Sequence, residues 1–118
     1  MSKPNIIQLS EFDVTQKIIE SLSSICTRAV LFSIKNESKE ATQIADDLKI
    51  SISTVYKTLS NLEELALAEV DKFIISPEGK KIKQYRSRIG KVEITLTDME
   101  PRLNLYPNTN NTKSNIQS

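Results

Sequence analysis

Ser53, Thr54, Lys57, Thr58 and Asn61 fall at one-, three- and four-residue spacings, so on a helix they share one face of short hydroxyl, amide and ammonium groups. Groups of this kind donate and accept hydrogen bonds at the edges of DNA bases, on an element that a major groove admits. Further along, Lys80, Lys81, Lys83, Arg86 and Arg88 supply the complementary chemistry, positive charge for phosphate. From Lys72 to Lys91 the chain carries seven basic residues against the single acid Glu78, a balance of +6 that leaves −5 for the rest of a chain whose net charge is +1. The lysines are point charges that can grip a backbone without reading its sequence. Arg86 and Arg88, at i, i+2 on one expected strand face, can bind phosphate through two parallel hydrogen bonds or enter a minor groove.

The elements that must hold these groups follow from periodicity. Ile44, Ala45 and Leu48 form the core-facing stripe of a short helix over 42–48, and Lys49-Ile50-Ser51 breaks it. Ser51 is placed to cap a second helix in which Ile52, Val55, Leu59 and Leu62 recur on the inner face, running to about residue 65. Residues 69–75 read as a strand, Ser76-Pro77-Glu78-Gly79 as a tight turn, and 81–89 and 91–97 as returning strands with a bend or bulge at Gly90. A turn at 97–101 precedes a short strand, 102–106, able to pair with 91–96. Upstream, Val14, Ile18, Leu22 and Ile25 predict an amphipathic helix that breaks near 21–24, followed by a helix over 27–35. Tyr56 and Tyr85 are both expected to pack on the core with the hydroxyl outward. The expected fold class is α+β, mainly α: a winged helix-turn-helix with a β-hairpin wing and room for one extra C-terminal strand. Residues 1–12 are expected as a flexible arm, 13–106 as the domain, and 107–118, too poor in apolar residues to offset the entropy of ordering, as a disordered tail.

What is missing narrows the chemistry. With no histidine there is no Ser-His-Asp or Cys-His nucleophile and no histidine-bound zinc. Two glycines cannot build a phosphate-cradling loop. Asp46 and Asp47 are adjacent on a helix, diverge by about 100°, and read as a solvated face. Cys26, the single cysteine, is expected as a buried structural thiol. The expectation is therefore no enzyme, no cofactor and no metal. The apolar runs are far shorter than the ~20 residues of a membrane span and the N-terminus lacks a signal layout, so a cytoplasmic protein without a membrane partner is expected.

Ala41-Thr42-Gln43-Ile44-Ala45-Asp46-Asp47-Leu48, Ser51-Ile52-Ser53-Thr54-Val55-Tyr56-Lys57-Thr58-Leu59 and Asn61-Leu62-Glu63-Glu64-Leu65-Ala66-Leu67 resemble the helix-turn-helix of archaeal winged-helix regulators in the broad ArsR-like group. Tyr85-Arg86-Ser87-Arg88-Ile89 resembles the return strand of their wing. The resemblance implies sequence-specific binding of double-stranded DNA as a homodimer that represses or activates transcription. A homodimer also suits the amphipathic helix at 14–25. The metal-sensing members hold their effector with cysteine pairs or histidines, which this chain lacks, so the effector is unassigned. The expected function is a DNA-binding transcriptional regulator, with recognition helix 52–65 in the major groove and wing 72–91 on phosphate or the minor groove. The alternative is a winged-helix protein-interaction module of a transcription or replication complex.

Overall fold

In the computed structural model, which describes residues 6–109 and side chains from residue 14 onward, four helices precede two antiparallel hairpins. The helices are α1 (Ile6–Leu22), α2 (Ile25–Ser33), α3 (Ala41–Leu48) and α4 (Ile52–Glu64); the strands are β1 (Ala68–Ile75), β2 (Lys81–Ser87), β3 (Ile89–Thr95) and β4 (Arg102–Pro107). The protein is α+β. Residues 6–12, expected as an arm, instead form the opening turns of α1; residues 1–5 lie outside the described part.

Helix ends follow local chemistry. Ser24 and Ser51 cap α2 and α4, each side chain accepting the N–H three residues on, from Thr27 and Thr54 respectively. Helix α3 ends at Lys49 in the left-handed conformation (φ 59°), and the Ile50 N–H returns to the Ala45 carbonyl at 3.1 Å. Helix α4 closes in the same way around Ala66 (φ 62°), with Leu67 N–H on the Leu62 carbonyl at 2.8 Å. Both Leu62 and Leu67 are buried, so this cap is also a packing contact.

The core lies where α2, α3 and α4 meet the roots of the hairpins: Leu31, Ile34, Ile44, Leu59, Leu62 and Leu67 are fully buried, with Tyr85 and Ile89 closing one side. Of the stripe expected on the first helix, Ile18 and Leu22 reach this core; Val14 is exposed and Ile25 starts α2 facing solvent. Cys26 is half-buried against the core.

The two hairpins form separate two-stranded sheets, β1-β2 and β3-β4. An antiparallel bridge ties the loop before α3 to β2, through Lys39 N–H to the Tyr85 carbonyl (3.0 Å) and Tyr85 N–H to the Lys39 carbonyl (2.8 Å). Between the hairpins the Ser87 hydroxyl donates to the Ile89 carbonyl (2.7 Å) and accepts the Ile89 N–H, turning the chain at Arg88. Gly90 sits at the register break in the β3-β4 ladder, where an added Cβ would stand 3.1 Å from the Pro107 carbonyl oxygen. Pro107 and Asn108, expected within a disordered tail, are instead held in place: Pro107 belongs to β4, and the Asn108 side chain donates to the carbonyls of Lys35 (2.9 Å) and Ser87 (2.8 Å). Residues 110–118 lie outside the described part. No described helix is long and apolar enough to cross a membrane.

Candidate nucleic-acid interface

Helix α4 buries Val55, Leu59 and Leu62, so the opposite side of the helix is open. Ser53, Thr54 and Lys57 are exposed there and Thr58 is half-buried. At the first turn the Ser51 hydroxyl meets both Ser53 Oγ (3.2 Å) and Thr54 Oγ1 (2.9 Å), a run of hydroxyls at the positive end of the helix. Asn61 departs from this face. Its Nδ2 donates to Ser21 Oγ of α1 at 2.8 Å, because the C-terminal ends of α1 and α4 come together there. The depression at that junction, roughly 710 Å³, places Glu20 and Glu64 beside Lys17, a rim that does not favour an anion.

On the other flank of α4 stands the β1-β2 hairpin. Its turn is fixed by Gly79 at φ +86° and by Ser76, whose hydroxyl accepts the Lys80 N–H at 3.0 Å and whose carbonyl accepts the Gly79 N–H at 2.8 Å. Lys80, Lys81 and Lys83 are exposed, and Lys81 Nζ rests 5.0 Å from the centre of the Phe73 ring, a contact that holds a flexible cation near one place. A groove of roughly 520 Å³ separates this hairpin from α3 and α4. It is lined by Glu40, Thr42 and Tyr56 on the helical side and by Lys80, Lys81 and Lys83 on the strand side, so the lysines outnumber the single acid.

Tyr85 lies at the floor of that groove and packs on the core, as expected. Burial raises its pKa above the ordinary phenol value, and the Glu63 charge and Tyr56 push the same way. The hydroxyl stays neutral around pH 7, and its contribution to stability is lost only as pH rises through this elevated pKa. Tyr56 does not pack as expected. It is 53% exposed and lines the groove, because it stands one residue after buried Val55 and about 100° round the helix from it. Thr42 was not among the expected contacts, and only the meeting of α3 with β2 shows its place.

The two arginines separate. Strand β2 ends at Ser87, so Arg88 lies in the corner between hairpins rather than on the face of Arg86. Arg88 is exposed, its backbone held by N–H to the Leu67 carbonyl (2.9 Å) and by its carbonyl accepting the Asn108 N–H (2.8 Å). Arg86 is only 7% exposed, opposite Glu69 in the ladder, and its Nη2 has no partner. A side chain so enclosed cannot reach a phosphate outside, which corrects its expected role. Neither arginine forms an ion pair with the nearby acids among the described residues. Asp71 is held by the Ser38 hydroxyl, and Glu93 by Lys91 (3.3 Å) and the Tyr106 hydroxyl (2.9 Å).

The acids expected as a solvated face are exposed, with Asp47 paired to Lys39 at 3.1 Å. Among the described residues no cluster of three acidic or cysteine side chains could hold a metal ion. Compared with known proteins, the chain matches no family model and no curated protein.

Proposed function

We propose that this chain is a winged helix-turn-helix regulator of transcription, similar to the archaeal ArsR-like group, which acts in the cytoplasm as a homodimer on double-stranded DNA. The observation that carries the reading is one groove with hydrogen-bonding residues of α3 and α4 on one wall and Lys80, Lys81 and Lys83 on the other. In this reading α4 enters the major groove with Ser53, Thr54, Lys57 and Thr58 toward the bases, and the β1-β2 hairpin is the wing, lying along the flanking backbone with its lysines and Arg88 on phosphate. Phosphate contacts set position and affinity, and the helix face sets sequence.

The test is selection of bound fragments from a pool of random duplex DNA at two salt concentrations, followed by sequencing. Enrichment of a palindromic motif, with binding that strengthens steeply as salt falls, is the expected result. Weak binding without enrichment at moderate salt overturns the reading. That outcome favours the interaction-module alternative, for which the specific support is the run of exposed apolar residues Phe73, Ile74 and Ile75 on β1.

A further inference from the structure

The β3-β4 hairpin has one polar and one apolar face. Register pairs Lys91 with Tyr106 and Glu93 with Asn104 on the first, where Lys91 sits 3.3 Å from Glu93 and 4.9 Å from the Tyr106 ring centre. On the second, Val92 pairs with Leu105 and Ile94 with Leu103. Val92 and Leu103 pack on the core, while Ile94 and Leu105 remain open to solvent. By two-residue alternation the apolar face continues onto Leu96, 71% exposed, next to the turn that carries Met99, 92% exposed, and it borders a groove shared with Phe32 and Arg28 of α2. Ile25, 75% exposed, lies on that same face of α2 by its i, i+3, i+7 spacing to Arg28 and Phe32. A lone two-stranded hairpin is marginal in water, and this one has half its apolar face uncovered.

We propose that a second copy of this chain covers that face, with the β3-β4 hairpins and α2 helices of two protomers packed about a twofold axis. Two features select a second copy as the occupant. Area is the first: Ile25, Phe32, Ile94, Leu96, Met99 and Leu105 together expose roughly 600–700 Å², near the ~800 Å² per partner of a stable interface. Charge is the second. The hairpin tip carries Asp98 and Glu100, and Arg28 lies further in beside Ile94. At about 3.3 Å per residue the tip stands roughly 15–20 Å beyond the groove. Opposite charges at two ends of one face are self-complementary under a twofold, so each acidic tip meets the other protomer's Arg28. Arg28 donates to the Leu22 carbonyl through Nη1 at 2.8 Å, which fixes the guanidinium at the groove. This interface rests on the dimeric part of the proposed function and moves it from the expected helix 14–25 to the hairpin and α2.

Sedimentation of the full chain up to about 100 µM tests it, with Leu96→Glu/Met99→Glu and Arg28→Glu variants checked for native circular dichroism. The expected result is a dimer that the apolar double variant makes monomeric. Arg28→Glu should weaken the dimer about tenfold or more, and adding Asp98→Lys/Glu100→Lys should restore it. A native dimer untouched by Leu96→Glu/Met99→Glu overturns this interface and leaves dimerisation elsewhere. A monomeric native chain overturns both, while DNA binding is measured separately.

Discussion

The side chain of Arg86 on β2 is buried with Nη2 unpaired, so the folded state carries a desolvation cost that a thioether of similar length avoids. Arg88 has the opposite situation, with its backbone clamped and its side chain in water. Arg86→Met should therefore keep or raise the midpoint of urea unfolding and leave DNA affinity at fixed salt within about twofold. Arg88→Ala should leave the midpoint unchanged and weaken DNA binding. A loss of more than about 2 kcal/mol for Arg86→Met would show that the buried charge holds β2 in place. The i, i+2 spacing could not separate these two residues, because strand pairing ends between them and only burial tells which one meets solvent.

At the scale of elements, the strain sits at two helix ends. Lys49 and Ala66 both adopt left-handed backbone, which costs a residue with a Cβ about 1 kcal/mol relative to glycine. Lys49→Gly and Ala66→Gly should each raise unfolding stability by about 1 kcal/mol, read by denaturant titration. Equal or lower stability in both variants would mean that the longer conformational search of the unfolded glycine chain outweighs the relief. These ends were not visible in composition. The sequence placed the turn after Leu48 by the break in apolar spacing, but a lysine and an alanine give no sign of positive φ. The Ser51 cap was legible, because a hydroxyl directly before an apolar helical stripe has a direct mechanical role, whereas Ser24 read only as part of a break between helices. The second hairpin was legible from the alternation of 91–97 and 102–106, but its register, which brings Lys91, Glu93 and Tyr106 together, was not. Tyr106 and Lys91 hold the Glu93 carboxyl below its usual range, an effect present above the ordinary carboxylate pKa and lost as pH falls through the lowered one.

For the whole molecule, charge distribution decides more than net charge. The proposed wing projects Lys80, Lys81 and Lys83 along one side of the α4 groove. If each neutralises one phosphate, replacing all three by alanine should reduce the slope of log affinity against log salt by about 2.7, since each contact on duplex DNA contributes about 0.9. An unchanged slope would take phosphate binding away from the hairpin tip while leaving α4 untested. A slope that falls with sequence preference intact would separate positioning by the wing from readout by the helix.

Taken alone, the sequence determined that four helices form, the hairpin turn at 76–79 and the return strands, because apolar period, a capping hydroxyl and glycine-proline turns act within a few residues; it did not show that the first helix already begins at Ile6. It also determined where positive charge concentrates, since charge adds along a chain whatever the fold. Tertiary structure alone decided which side chains are enclosed, which are held by another element and which stay open. Arg86 went inside, Asn61 turned to Ser21 on α1, and Tyr56 opened onto the groove, each because a neighbouring element from elsewhere in the chain occupied one side and not the other. Period and propensity describe an element's own surface; which part of it is covered depends on partners that short-range signals do not encode.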